Sequence, residues 1–319
     1  IDRSWTDLKS YYVSAAYHDA NTLIKFVTFS GTEELYQAWN GVPSYLLDTD
    51  RTYNELGGYT DADGNLVYYD NQIDHYKQTH YQLHLSRSFN ENWYANAALH
   101  YTKGVGYYEQ YKEDESLSDY LLDDVIIGGD TITESNLIRR KWLDNDFYGF
   151  VGGLHYEGDV IGAVLGGGWN RYEGDHYGNV IWARYPGESE IRHRWYDNTG
   201  LKNDWNTYLK ANWDAGDRLS FFADLQVRGI DYSIEGVDDD LRDISQEHSY
   251  FFFNPKAGLN FQLSSTQRAY LFVARANREP NRSNFVDADP TGPVPVKETL
   301  LDYDCLLYTS DAADDRRGV

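Results

Sequence analysis

The chain has 319 residues, enough for one large folded unit or two. Its 51 acidic residues against 28 basic ones give a formal charge of −23, which excludes nucleic acid as a partner because phosphate binding needs a basic face. Aromatics reach 16% with 27 Gly, 7 Pro and no Met, mean hydropathy is a polar −0.67, and no apolar run is long enough for a transmembrane helix.

No signal peptide opens the chain, and the absence of Met at position 1 makes Ile1 an expected internal cut, with the true N-terminus upstream. Asp19-Ala20-Asn21 is the first of five short turn signals, because Asp, Asn, Gly and Ser supply the conformations tight hairpins need. Thr32 followed by Glu33 to Trp39 predicts a short capped helix within a long connection from Gly31 to Asp74. In that connection Asp61-Ala62-Asp63-Gly64-Asn65 starts like a calcium loop, but the twelfth position is Gln72 where a Glu is needed, and Asp-Gly is ordinary turn chemistry.

From Thr79 the side chains alternate with period two, sending Thr79, Tyr81, Leu83 and Leu85 to one face and His80, Gln82, His84 and Ser86 to the other. His80 and His84 are about 13 Å apart by strand rise, too far to chelate one ion, and His75 adds no nearer ligand. After the Asn90-Glu91-Asn92 turn, Trp93, Ala95, Ala97, Leu99 and Tyr101 oppose Tyr94, Asn96, Ala98, His100 and Thr102. A second long connection, Gly104 to Asp144, carries Tyr107, Tyr108 and Tyr111 among acidic residues. The turn at Glu157-Gly158-Asp159 precedes a third, Gly174 to Asn198, with Trp182 and Trp195.

Trp205, Thr207, Leu209, Ala211 and Trp213 then oppose Asn206, Tyr208, Lys210 and Asn212, ending at the Asp214 to Asp217 turn. Leu219, Phe221, Ala223, Leu225 and Val227 share the next apolar face, before a fourth connection, Gly236 to Glu247, that holds Asp238, Asp239, Asp240 and Asp243. That acidic run suits a solvated loop or an ion bridge to lipopolysaccharide. Pro255, Ala257, Leu259, Phe261 and Leu263 lead to the last turn, Ser264 to Gln267, and a fifth long connection starts at Asn281.

The alternating runs last about 9 to 11 residues or more, the length that crosses a bilayer at a tilt. Aromatics at their ends, such as Trp93/Tyr101 and Trp205/Trp213, sit where interfacial girdles belong, and short turns on one side with long loops on the other match periplasmic and extracellular rims. The expected fold is therefore all-β, an antiparallel transmembrane β-barrel of ten strands and the start of an eleventh. A secreted, soluble β-rich protein that binds or cleaves glycans is the alternative, and an enzyme on a smaller closed barrel a third. No GxSxG, P-loop, HExxH or paired metal cysteines occur, so no catalytic, cofactor or metal site is expected.

Several strings resemble the barrel of TonB-dependent outer-membrane receptors of the Bacteroidetes type: Asn21 to Lys25 leading into Gly31 to Trp39, Asn71 to Leu83, Gly106 to Lys112, Ala276 to Phe285 and Lys297 to Tyr303. The resemblance spans nearly all of residues 1–304 and implies a barrel of about 22 strands, of which this chain would hold half. It further implies an N-terminal plug and a TonB-coupling box outside the chain, the outer membrane with its lipopolysaccharide as surroundings, and import of an iron chelate, cobalamin or a similar large solute. Loop and lumen residues expected to meet that solute are Tyr107, Tyr108, Tyr111, Trp182, Trp195, Arg278 and Arg282, with Glu279 beside them in a charge network. Cys305 to Asp315 resembles a translated sequencing adapter, so residues 305–319 are expected to be a non-native tail and the native part to lack cysteine.

Overall fold

The computed structural model describes residues 1–288 and 292–309. Eleven long strands form one antiparallel sheet: β1 (Thr6–His18), β2 (Thr22–Tyr36), β3 (Ile73–Ser88), β4 (Trp93–Ser116), β5 (Glu134–Glu157), β6 (Ile161–Ala183), β7 (His193–Asp214), β8 (Leu219–Gly236), β9 (Gln246–Gln262), β10 (Gln267–Arg278) and β11 (Glu298–Thr309). Each pairs with its sequence neighbour, so the sheet is a pure meander. All five turn signals fall between strands. At the first, the Asp19 carboxylate accepts both the Asn21 and Thr22 amides at 2.8 Å, closing the chain on itself before β2 starts.

The period-two pattern decides which face meets what. Directly opposed residues share a face, and Leu165, Leu209 and Leu225 form one such row, 56%, 49% and 48% exposed. Leu83, Leu99 and Phe150 form another, all exposed. Tyr81, Tyr101 and Tyr148 lie in the row above, and Trp213 with Phe221 lies near the opposite rim, the two aromatic edges of an apolar belt. The other face is polar and concave. His100 on β4 reaches Asn170 on β6 at 2.8 Å, two strands away, and Glu279 beyond β10 reaches Lys202 on β7. A face that is apolar outward and hydrogen-bonded inward is the reverse of a soluble sandwich. No helix among the described residues is long and apolar enough to cross a membrane.

Two expectations are corrected. The segment 33–39 is not a helix: Glu33, Glu34, Leu35 and Tyr36 continue β2, paired to β1 on one side and β3 on the other. An isolated turn of helix gains little, whereas the ladder satisfies those backbone groups on both edges. The connections are also shorter than expected, because β4 runs to Ser116, β5 starts at Glu134 and β6 runs to Ala183. Beyond the bilayer the strands keep pairing, so the extracellular end is a raised rim. Two three-residue hairpins decorate it, Gly58–Thr60 with Leu66–Tyr68 and Val125–Ile127 with Asp130–Ile132.

The tight packing lies in this rim, not at bilayer depth. Leu117, Tyr120, Leu137, Val180 and Trp195 form one buried cluster, and Ile234, Ile244, Phe285 and Val286 another. Residues 305–309 continue β11 against β10, with Cys305 opposite Leu271, and the rest of the expected tail lies outside the described residues.

Candidate functional site

At the loop end of the concave face a pocket of about 430 Å³ opens. Its floor is two cross-strand rows. Asp74, Tyr108, Lys141, Gly178 and Tyr196 are opposed in succession on β3 to β7; the neighbouring row is Tyr76, Gly106, Leu143, His176 and Asn198. The glycines make room for rings. A Cβ at Gly178 would fall 2.4 Å from the Tyr196 ring, and one at Gly106 would fall 2.6 Å from that of Tyr76. Lys141 sits about equally between Tyr108 and Tyr196, 6.0 and 5.9 Å from their ring centres, and its ammonium pairs with Asp239 on the β8–β9 loop.

The fourth wall comes from α1 (Arg282–Val286), whose N-cap Asn281 and Asn284 bond reciprocally in a capping box. Phe285 stacks on His248 at 3.9 Å and Arg242 donates to the Val286 carbonyl at 2.9 Å, fixing the helix on the sheet. Arg282 then reaches the fully buried Asn198, donating at 2.8 Å. Burial, with the Arg282 charge nearby, pushes His176 down to about 4, so its imidazole is neutral at physiological pH. Burial and the neighbouring Glu33 raise the Asp74 carboxyl above its usual range.

Of the residues expected from sequence, Tyr108 and Arg282 line this pocket, and Tyr107 borders it from the outer face, its ring 4.6 Å from Trp142 with Arg140 over it. The others lie elsewhere. Tyr111 and Trp182 stack outside the wall under the first short hairpin, where Tyr59 lies 4.4 Å from Tyr111. Trp195 is the extra residue of a bulge opposite Gly178 and Asn179 and is 2% exposed in the rim core. Arg278 pairs with Glu298 at 2.7 Å on an exposed part of β10. Asp74, Tyr76, Lys141, His176 and Tyr196 were not anticipated, and cross-strand register is the signal that assembles them; Asp238 and Asp239, expected only as part of an acidic loop, join them from the β8–β9 connection.

Other polar groups are absorbed locally. Asp61 accepts the amides of Asp63 and Asn65 in its own turn, at 3.0 and 2.8 Å. His75 contacts Glu34, and His84 contacts Gln82. Among the described residues no three His, Cys, Asp or Glu side chains converge to hold a metal ion.

A curved antiparallel wall of long strands, apolar outward and polar on its concave face, defines the class of outer-membrane β-barrels. Residues 16–298 match the family described as TonB dependent receptor-like, beta-barrel, and the chain belongs to that family. Solved structures agree at the level of fold. The closed form of the ferric-catecholate import receptor Fiu from K12 E. coli is 11% identical, with a TM-score of 0.63 over 95% of this chain and 49% of its own. The copper transporter OprC is 13% identical, with a TM-score of 0.66 over 97% of this chain and 43% of its own. The ferric yersiniabactin uptake receptor FyuA from Yersinia pestis is 10% identical, at 0.56 over 97% and 43%. This chain thus spans under half the length of these structures. No curated protein matches it.

Proposed function

We propose that this chain forms roughly half of the wall of a Gram-negative outer-membrane receptor that takes a scarce solute from outside and imports it with energy delivered by TonB. The observation that carries the reading is the polar pocket set at the loop end of the concave face of a lipid-facing wall. Family membership and the metal or metal-chelate import named for the solved neighbours support an iron chelate, cobalamin or a comparable large solute. On this reading residues 1–304 are the barrel segment, residues 305–319 are an appended tail, and the plug and coupling box belong to other parts of the receptor. Asp144, Asp146, Glu173 and Asp175 face outward above the Tyr101 row with Lys103 among them, which suits cation-bridged contact with lipopolysaccharide. The reading assigns no bond-breaking step to the chain.

The test is uptake by cells with and without the gene encoding this chain, using iron-chelate and cobalamin panels, before and after collapse of the inner-membrane proton gradient. Loss of one solute's accumulation in the deletion strain, and equally in de-energised wild-type cells, is the expected result. Uptake of every solute unchanged by the deletion would sink the reading.

A further inference from the structure

The proposed import reading leaves the nature of the solute open, and the charges around the pocket narrow it. Lys141 is committed to Asp239 and held between two tyrosine rings, and Arg282 spends one guanidinium nitrogen on Asn198. Lys141 is thus not free to clamp carboxylate, phosphate or catecholate oxygens, and Arg282, whose buried Nε has no partner, is the single open cation in the pocket lining. Acid, by contrast, is plentiful. Asp74, Asp238 and Asp239 line the pocket, and among the described residues no ion pair reaches Asp74 or Asp238.

A second cavity of about 300 Å³ shares Asp239 and adds Glu115, Asp119 and Asp240, against Arg139. A solute entering from the loop side therefore crosses a vestibule of net negative charge. The floor, meanwhile, presents the half-buried rings of Tyr76 and Tyr108 and the edge of the buried Tyr196, which bind flat or hydroxyl-bearing groups without needing opposite charge.

We infer that the solute bound at this pocket carries no net negative charge, and is a neutral or cationic chelate held by ring stacking and hydrogen bonds. A trianionic chelate meets repulsion from unpaired carboxylates within about 10 Å, worth about tenfold or more in affinity at physiological ionic strength.

Three ferric chelates of similar size serve as probes: a tris-catecholate of charge −3, a neutral trihydroxamate, and a trihydroxamate bearing one protonated amine. Binding to the intact receptor in lipid nanodiscs is read from quenching of tryptophan fluorescence. The neutral and cationic chelates are expected to bind at least tenfold more tightly than the trianion, with the gap closing to about threefold in D238N/D239N and in 1 M salt. Salt serves as the second measurement should the double variant fold poorly. If the trianion binds as tightly as the neutral chelate or more so, the charge inference falls while the import reading stands. If none of the three binds, the pocket is not a site for ferric chelates and the charge inference falls, while the import reading stands or falls on the uptake test.

Discussion

Glu279 joins three parts of the lumen wall, and its neutralisation has a calculable consequence. Its carboxylate accepts from Lys202 of β7 at 2.5 Å and from both terminal nitrogens of Arg228 of β8 at 3.2 Å, while Arg228 is also forked onto Asp204 through its Nε at 3.0 Å. Two cations and two anions balance. Glu279→Gln leaves the cluster with an excess positive charge and turns an amide N–H toward a cation. At these distances each ion pair attracts by about 5 kcal/mol at an effective dielectric of 20, and desolvation offsets most of that. Removing one partner of a buried pair costs about 3–5 kcal/mol. Glu279 is 11% exposed but Lys202 and Arg228 are 31% and 25% exposed, so solvent screening lowers the expected cost to about 2–3 kcal/mol. Guanidinium unfolding of the receptor in micelles, followed by tryptophan fluorescence, measures it. Adding Lys202→Met restores neutrality and is expected to recover at least half the loss, a non-additive result that charge balance alone explains. An E279Q variant within about 0.5 kcal/mol of the parent, or strict additivity in the double variant, would refute the reasoning.

Three further outcomes follow from the same geometry. His176 is neutral in the folded state down to about pH 4 but takes a proton near 6.5 when unfolded, so its contribution is intact above pH 6.5 and lost as pH falls toward 4, by at most about 3 kcal/mol; the stability-against-pH curves of parent and His176→Gln should diverge across that window, and parallel curves would contradict it. Gly178→Ala places a Cβ 2.3 Å from the Trp195 ring and should cost about 1–3 kcal/mol and weaken solute binding, whereas Gly31→Ala, with nothing within 4 Å, should stay within about 0.5; equal melting temperatures for the two would count against the packing argument. Leu209→Arg on the belt should block assembly in lipid or cost about 2–4 kcal/mol, while Asn212→Arg on the concave face of the same strand should be tolerated, and the reverse order in a lipid-reconstitution assay would invert the assignment of faces.

How much of this was legible in the sequence depends on what surrounds each segment. The five turns were, because a tight hairpin demands Asn, Asp, Gly or Ser, and the belt was, because lipid imposes an apolar residue at every second position from Trp93 to Tyr101. Above the belt neither face meets lipid. Tyr107 to Glu113 stacks rings on one side and lines a pocket on the other, so alternation vanishes although pairing of β4 with β5 continues to Ser116. The stretch 32–39 carried a genuine local helix signal that ladder partners on both sides overrode. The pocket was half visible for a related reason. Tyr108 and Arg282 stood out by type, but Asp74, Lys141 and Tyr196 meet only through register, across an interval of more than a hundred residues. Trp195 shows the converse: an aromatic in a long connection suggested a ligand contact, and a bulge packs it into the rim core at the edge of the second cavity.

The long strands also explain how the pocket is held so far above the apolar belt. A strand such as β4, with 24 residues, rises roughly 75 Å along its own axis, and at a tilt of about 40° only about half of that is needed to cross the bilayer. The remainder stands above the membrane as paired sheet. A pocket floored by two ladder rows is held by backbone hydrogen bonds on every strand, so binding need not order a flexible loop, and less affinity is lost to entropy. The irregular elements that border it, α1 and the Asp238 loop, are then confined to its walls. If the pocket holds the solute as proposed, a change of solute would alter those walls and a few inward side chains such as Lys141 and His176, and leave the apolar belt beneath untouched.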